Sequence, residues 1–454
     1  MKNLSIFKWQ PVLFAVFFCG FSFAQNLSSE EVKSDLELLR SSILKYQPGI
    51  QESAPHFKKT SENLIANLRD DSLSFLEYFK HVSRLCVMAG EGHYSLGNWQ
   101  DTVHRGFGNN TYAYFPADVQ VIDNRLYIED DFSKEQQLTP GSEITRINGK
   151  SAAAILQELY FCTPSDGAII SNIVDELDAT FPFAYYMYIE QPAYFGVTIK
   201  NPSGQEQTVS IQARIRQQQK EALEGKEERP LRSTAKNPVY SLRFHEDYAL
   251  LTLRSFNNKK LNKQDIKPRR FYKSIFDTLE QKNAKNLVID LRGNSGGLFT
   301  MAQEFIPFVV HAETDNRFQR RSISWEGKVR NYKFRKQKRK AFEGQMYVLI
   351  DGGTFSSAST LARYLKEQTN AIIIGEESGS RYESFVAGSK QYVKLPNSGV
   401  EIGIPRYLIE FGPGKKQQTT NRGVLPHHKI EYSILHILAN RDLHLETVEE
   451  LIER

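Results

Sequence analysis

Two stretches of sequence determine the fold: Asp290-Leu-Arg-Gly-Asn-Ser-Gly-Gly297 and Asp351-Gly-Gly-Thr-Phe-Ser-Ser-Ala-Ser359. The first follows an apolar run typical of a buried strand and ends in a glycine pair. The second places serines on a sharp turn from a strand into a helix. An acyl-transfer enzyme needs this combination, because it requires an exposed hydroxyl nucleophile beside backbone N–H groups that can hold an oxyanion.

Apolar strands alternate with amphipathic helices on both sides of these stretches. The predicted elements are strands at 248–253, 286–291, 346–350 and 372–375, and helices at 267–281, 301–308 and 357–367. This alternation predicts a parallel sheet that is covered on both faces. The segment Arg317–Lys340 interrupts it with a basic cluster at 335–340 and is interpreted as an exposed insertion loop.

The rest of the chain divides by composition and periodicity. A capped start at Ser28 and apolar residues at helical spacing predict a helical domain over 25–110. Short strands, and the hairpin turn Ile147-Asn-Gly-Lys150 before a helix at 151–159, predict a β-rich domain over 111–212. The charged segment 213–237 reads as a linker. The last domain is predicted to span 238–435, followed by a C-terminal helix at 436–454.

The N-terminus has the pattern of a secretory signal peptide. Lys2 and Lys8 form a positively charged segment before the apolar run Pro11–Phe23. The small residues Ser22 and Ala24 then form a cleavage site after residue 24. The apolar run is shorter than the roughly 20 residues that a membrane span requires. We therefore expect an exported protein, periplasmic or extracellular, with no stable membrane insertion.

Charge and cysteine usage exclude several function classes. A formal net charge of +5 over 454 residues is modest, so no nucleic-acid partner is expected. After removal of the leader, Cys86 and Cys162 remain, either as a disulfide or as two buried thiols. The sequence contains no CxxC or HExxH pattern, so neither a metal nor another cofactor is expected.

Four motifs together resemble one enzyme family, and they extend over nearly the whole chain after the leader. These are Asp290–Gly297, Gly353–Ser359 with Gly375-Glu-Glu377 after it, Pro140–Lys150, and Gly92-His-Tyr-Ser-Leu96. The chain resembles the S41 serine peptidases, the C-terminal processing or tail-specific peptidases. The resemblance implies an α/β fold: a ClpP/crotonase-like catalytic core with an N-terminal helical domain and a PDZ-like β-rich domain.

The resemblance implies Ser356 as the nucleophile, with Ser357 as the alternative because the serine is doubled. A serine at the first turn of a helix also has a plainer interpretation, as an N-cap. Gly296 and Gly297 are implied as oxyanion donors together with the backbone N–H of Ser357. Asp290 and Arg292 are interpreted as a structural ion pair at a strand end.

The position of the general base in one branch of the family holds a different residue in this chain. The lysine of that branch is replaced here by Arg381, which stays protonated and cannot accept the serine proton. The other branch uses a histidine in a turn that Glu91-Gly92-His93 resembles, so His93 is the predicted base and Lys390 the alternative.

The third catalytic residue is left unassigned by the sequence. The position where the histidine branch often has a glutamate is Thr420 here. The available acidic residues cannot be ranked, and they are Glu376, Glu377, Glu383 and Glu410.

The expected function is that of an exported serine endopeptidase which hydrolyses protein or peptide substrates through an acyl-enzyme on Ser356. The alternative is a catalytically lapsed homologue that binds peptides. The sequence leaves the cleavage specificity and the oligomeric state open.

Overall fold

The computed structural model describes residues 26–97, 112–223, 239–311, 314, 317–333, 340–412 and 421–454. The predicted signal peptide, most of the basic cluster and Thr420 lie outside these residues. In the described part of the chain, no helix is both long and apolar enough to span a membrane.

The N-terminal region is helical, as predicted. Its elements are β1 (Leu27–Ser28), α1 (Ser29–Tyr46), α2 (Ile50–Ser53), α3 (Phe57–Ala66), β2 (Ser72–Leu73), α4 (Phe75–Met88) and β3 (Ser95–Gly97). Both long helices begin with a capping box, formed by Ser28 with Glu31 and by Ser74 with Glu77. Reciprocal hydrogen bonds in such a box satisfy backbone donors that a helix start leaves free, which is why the helices begin where they do. Cys86 on α4 and Cys162 are both buried free thiols.

The middle region is built on an antiparallel sheet. Its elements are β4 (Ala113–Tyr114), β5 (Ala117–Ile122), β6 (Arg125–Asp131), β7 (Glu143–Ile147), β8 (Lys150–Ser151), α5 (Ala152–Tyr160), α6 (Ser171–Tyr188), β9 (Tyr194–Lys200), β10 (Glu206–Gln212), β11 (Arg214–Ile215) and α7 (Arg216–Leu223). The main sheet has the order β10-β9-β7-β6-β5, β8 pairs with β7, and β11 pairs with β4.

Two features of this region differ from the sequence prediction. Helix α6 was not predicted, although Ile173, Leu177, Phe181 and Tyr185 are buried at a spacing of one residue in four, which is the signal of a helix face. The predicted linker at 213–237 is ordered at its start, because β11 and α7 occupy 214–223 and Gln219 is buried against the sheet region.

The C-terminal region contains the predicted α/β core. Its elements are β12 (Tyr240–Phe244), β13 (Ala249–Leu253), α8 (Asn258–Lys263), α9 (Pro268–Gln281), β14 (Asn286–Asp290), α10 (Phe299–Gln303), a 3₁₀ turn (Ile306–Phe308), β15 (Gln319–Ser324), β16 (Val329–Asn331), β17 (Gln345–Ile350), α11 (Ser357–Gln368), β18 (Ile372–Gly375), β19 (Ser384–Lys394), β20 (Glu401–Phe411), β21 (His428–Lys429), α12 (Ile434–Leu438) and α13 (Leu443–Ile452).

The core sheet has the order β12-β13-β14-β17-β18-β21 and is parallel from β13 to β21. Alternate residues of its strands are buried in two separate apolar clusters, one on each face. The expectation of a parallel sheet covered on both faces is therefore confirmed. At the end of β14, Arg292 forms bidentate hydrogen bonds to both Asp290 and Asp442, which confirms the structural interpretation of the Asp290–Arg292 pair.

A second sheet, of order β16-β15-β20-β19, corrects the interpretation of 317–340 as an exposed loop. Strands β15 and β16 come from that segment, and Ser322 and Ser324 of β15 are buried. Strand pairing with distant partners stabilises this segment, and no local signal in a basic sequence reveals it.

The same sheet connects the N-terminal region to the core. Strand β3 pairs with β20, placing Leu96 opposite Ile402. The hairpin tip between β19 and β20 contacts α1, because the buried Asp35 accepts backbone hydrogen bonds from Asn397 at 3.1 Å and from Ser398 at 3.0 Å. These contacts fix the position of the turn that carries His93, which immediately precedes β3.

Candidate active site

Ser356 lies on the turn between β17 and α11 in a conformation that side chains rarely adopt, with φ 54° and ψ −126°. Ser356 occupies the N-cap position of α11, but its side chain makes no capping hydrogen bond to the helix, so capping does not account for this serine. Its backbone N–H donates instead to Ser380 Oγ at 2.7 Å. A strained strand-to-helix turn with a partly exposed hydroxyl is the geometry by which hydrolases present a nucleophilic serine.

The neighbouring Ser357 is a poorer candidate for the nucleophile. Its side chain is fully buried, and its hydroxyl donates to the carbonyl oxygen of Gly297 at 3.3 Å. Its backbone N–H is at the first turn of α11 and has no hydrogen-bond acceptor among the described residues. Ser357 therefore suits the predicted role of oxyanion donor, and Ser356 suits that of nucleophile.

The glycine pair divides into two roles. The N–H of Gly296 donates to Asn294 Oδ1 at 2.9 Å, so the prediction of Gly296 as an oxyanion donor is corrected. Gly296 provides space instead, because a Cβ there would lie 2.7 Å from the Cβ of Ser356. The N–H of Gly297 has no acceptor among the described residues, so it can act as the donor opposite Ser357.

Asn294 was not predicted, yet it holds this loop against the nucleophile turn. Its side chain is fully buried, and its Nδ2 donates to the Leu253 carbonyl at 2.8 Å. Its own carbonyl accepts the N–H of Phe355 at 2.9 Å. Through its side chain and its backbone carbonyl, Asn294 thus ties together β13, the glycine pair and the residue before Ser356.

His93 lies against the nucleophile turn. Its imidazole ring packs between Phe355, with ring centroids 4.5 Å apart, and Phe385, at 4.8 Å. Neither ring nitrogen has a hydrogen-bond partner in the described part of the chain, so His93 contacts the residue beside Ser356 without bonding to the serine itself. The turn of His93 thus packs against the turn that carries Ser356.

Arg381 makes structural contacts and does not take part in proton transfer. Its guanidinium forms an ion pair with Glu91, and it also donates to the carbonyl oxygens of Gly90 at 3.2 Å and Ser384 at 3.1 Å. Burial lowers the pKa of Arg381 to about 10, so the group stays protonated at neutral pH.

Lys390, the alternative base, lies on β19 beside Gly403 and opposite Pro405. Burial lowers the pKa of its ammonium group. No hydrogen bond joins it to Ser356 within the described ranges. The ring contact of His93 with Phe355 therefore favours His93 over Lys390 as the base.

A residue that sequence reasoning missed lies next to the imidazole. Asp166 is in the connection between α5 and α6, is fully buried, and has its Oδ1 3.7 Å from His93 Nδ1. The turn Pro164-Ser-Asp-Gly167 carries no local signal that separates Asp166 from other turn aspartates.

The acidic residues considered from the sequence lie elsewhere. Glu377 binds Arg422, Glu410 binds Arg321, Glu383 is exposed, and the pKa of Glu376 is raised to about 7 by burial and by Asp351. None of these four contacts His93 in the described residues.

Glu91, His93 and Asp166 together offer ligand atoms within 4.8 Å of one another, which is a spacing suited to a metal ion. However, Glu91 already pairs with the Arg381 guanidinium, and Asp166 already accepts the N–H of Gly92 at 2.6 Å. A divalent cation would have to compete with that guanidinium for Glu91 and with backbone N–H groups for Asp166. The arrangement suits a histidine with a neighbouring carboxylate better than a metal site.

Comparisons with known proteins agree with this geometry. The model of Peptidase family S41 matches residues 247–430, which contain the glycine pair and Ser356. The carboxy-terminal processing protease CtpA of Bacillus subtilis (strain 168) is 29% identical over 161 residues, which are 34% of this chain and 30% of that protein. The match therefore spans less than a third of the length of this relative.

Solved structures are similar in fold over almost the whole chain. Mature CPAF has a TM-score of 0.64 at 14% identity, covering 93% of this chain and 96% of that one. Mature CPAF complexed with lactacystin has a TM-score of 0.65 at 14% identity, covering 93% and 98% of the two chains. At this identity the similarity concerns the fold, and it confirms the predicted α/β architecture.

Proposed function

Because residues 247–430 match the model of peptidase family S41, we propose that the chain is an exported serine endopeptidase that cleaves protein or peptide substrates through an acyl-enzyme on Ser356. The observation that carries the proposal is the nucleophile turn. Ser356 is held at φ 54° and its side chain caps no helix N–H, and it is flanked by the N–H groups of Gly297 and Ser357, which have no acceptor among the residues that the structure describes. Strain of this kind persists in folded proteins mainly where function requires it.

In the proposed reaction, Ser356 Oγ attacks the scissile carbonyl carbon while His93 accepts the hydroxyl proton. The N–H groups of Gly297 and Ser357 hold the oxyanion of the tetrahedral intermediate. His93 then returns the proton to the leaving amine, and the acyl group stays on Ser356. A water molecule, deprotonated by His93, releases the acyl group and regenerates the serine.

Export and peptide capture belong to the same proposal. The charged and apolar pattern before Gln25 supports a cleaved leader, and N-terminal sequencing of the protein recovered outside the cytoplasm should begin at Gln25. The middle sheet supports a PDZ-like role, because an extended peptide can add to an exposed sheet edge such as that of β10.

The alternative is a catalytically lapsed peptide-binding protein, favoured by one observation: His93 makes no hydrogen bond to Ser356. Catalytic hydrogen bonds are often long in unliganded enzymes and tighten with substrate, so an active enzyme is compatible with the same geometry.

Labelling with a fluorophosphonate separates the two functions. We expect one adduct, on Ser356, that is lost in Ser356→Ala and retained in the matched control Ser357→Ala. His93→Ala should slow labelling by several orders of magnitude, and Lys390→Ala should leave it unchanged. An unlabelled wild-type protein that still binds peptides would favour the lapsed homologue. Loss of labelling only in Ser357→Ala would move the nucleophile by one residue.

A further inference from the structure

Asp166 contacts two other segments of the chain, the turn that carries His93 and the loop after Ser380. Its Oδ1 accepts the N–H of Gly92 at 2.6 Å and lies 3.7 Å from His93 Nδ1. Its Oδ2 lies 3.4 Å from the N–H of Arg381. The carboxylate thus faces the turn that carries His93 from one side and the loop after Ser380 from the other.

The segment around Asp166 is tied down on both sides. The N–H of Gly167 donates to the Gly90 carbonyl at 3.1 Å, and the N–H of Ala168 donates to the Asn421 carbonyl at 3.0 Å. A Cβ on Gly167 would lie 2.6 Å from the Asn421 oxygen, so the backbones approach as closely as only glycine permits. These contacts fix the backbone on the C-terminal side of Asp166, and the fixed backbone positions the short side chain that carries the carboxylate.

We propose that Asp166 is the positioning residue of the site, the carboxylate that orients His93 and stabilises its imidazolium during acylation. This inference rests on the proposed function of Ser356 and His93. A carboxylate at Nδ1 keeps the proton on that nitrogen, so that Nε2 is free to accept the serine proton. The separation of 3.7 Å is that of an ion pair, and it shortens to a hydrogen bond when the imidazole gains charge.

The origin of Asp166 gives this proposal a structural consequence. Ser356 comes from the core, His93 from the N-terminal region, and Asp166 from the connection between α5 and α6 in the middle region. The site is therefore complete only when all three regions are docked, and the middle region contributes directly to the rate of the reaction as well as to peptide capture.

Asp166→Asn tests the proposal, because asparagine keeps an oxygen for the Gly92 N–H and removes the charge that faces His93. We expect kcat to fall by roughly 10²- to 10⁴-fold with KM unchanged, since the carboxylate acts in the transition state and not on substrate binding. The matched control is Asp131→Asn, a buried aspartate that also accepts two backbone N–H groups, from Ser133 at 2.7 Å and Leu138 at 2.9 Å. Asp131→Asn should keep the wild-type kcat.

The fluorophosphonate labelling rate distinguishes failure of this inference from failure of the proposed function. An unlabelled wild-type protein overturns the function itself. A labelled wild-type protein with equal rates in Asp166→Asn overturns only the role of Asp166, as does a rise in KM at constant kcat. Proton NMR of the wild-type protein at a pH low enough to protonate the imidazole gives a second readout: we expect a strongly downfield Nδ1–H resonance, assigned by its disappearance in His93→Ala, and its absence contradicts the proposal.

Discussion

Arg381 and Glu91 form an ion pair that is buried at the junction between the α/β core and the turn of His93, with side chains 6% and 0% exposed. Glu91 also accepts the N–H of Val386 at 3.0 Å, so it contacts β19 directly. Arg381 stands where one branch of the family has a lysine base. Arg381, which cannot itself accept a proton, therefore helps to hold the turn of His93 in place.

Removing one partner of the ion pair between Arg381 and Glu91 should destabilise the folded protein. Arg381→Met leaves the Glu91 carboxylate buried without a counter-charge, and we expect the free energy of unfolding to fall by about 3–5 kcal/mol. Glu91→Gln should also destabilise, whereas the double variant should recover part of the loss because no uncompensated charge remains. Urea unfolding of the three variants measures these differences.

The control for this prediction is Arg321→Met, which removes a pair with Glu410 whose side chains are 38% and 19% exposed. An exposed pair of this kind contributes about 0–1 kcal/mol. A loss in Arg381→Met no larger than that in Arg321→Met would contradict the structural role of the buried pair.

Gly296→Ala should slow the labelling of Ser356 by displacing its side chain. The added methyl group would lie 2.7 Å from the Ser356 Cβ and 2.8 Å from the Phe355 carbonyl oxygen, so the nucleophile turn must move. We expect the labelling rate to fall by roughly 10²-fold or more, since small displacements of reacting groups have effects of this size. Fluorophosphonate kinetics provide the measurement.

Gly204→Ala is the matched control for Gly296→Ala. Gly204 has φ 88°, close to the 81° of Gly296, but a Cβ there meets nothing within 4 Å. Both variants carry the backbone strain of alanine at positive φ, and only Gly296→Ala adds the collision. Equal labelling rates in the two variants would mean that the contact with Ser356 is unimportant.

Relieving the backbone strain at Ser356 should increase the stability of the protein. Ser356→Gly relieves a φ of 54°, whereas Ser356→Ala retains it. We expect the glycine variant to be more stable than the alanine variant by about 1 kcal/mol, with both inactive. Thermal unfolding of the two inactive proteins makes the comparison, and a less stable glycine variant would show that the turn is unstrained.

The stability of the nucleophile turn should depend on pH through Asp175. This residue lies on α6, and a methyl group on Gly353 would lie 2.6 Å from its Oδ2. Burial, with Asp351 and Glu376 nearby, raises the pKa of Asp175 to about 8. In the unfolded chain the carboxyl group ionises near its ordinary value of about 3.9.

Between about pH 4 and pH 8 the unfolded chain therefore releases a proton that the folded protein retains, and stability falls as the pH rises. Asp175→Asn removes this dependence, so its melting temperature should match that of the wild type near pH 4 and exceed it by several degrees at pH 8. The exposed Asp71→Asn should show no such divergence. Parallel melting curves for Asp175→Asn and the wild type at all pH values would exclude the effect.

The sequence by itself determined the features that depend on neighbours along the chain. Apolar runs, glycines and cap residues set the alternation of strands and helices, the strand that ends at the glycine pair, and the turn that carries Ser356. These signals are local, because a strand-to-helix turn at positive φ and a capping box each involve only a few consecutive residues.

The tertiary structure decided which distant residues meet. It placed the imidazole of His93 against Phe355, put Asp166 beside it, paired Arg381 with Glu91, and occupied the N–H of Gly296 with Asn294. It also turned part of 317–340 into two strands of a second sheet. None of these outcomes follows from local propensity, because each depends on the packing of elements that are far apart in the chain and on which polar groups remain unsatisfied once those elements are buried.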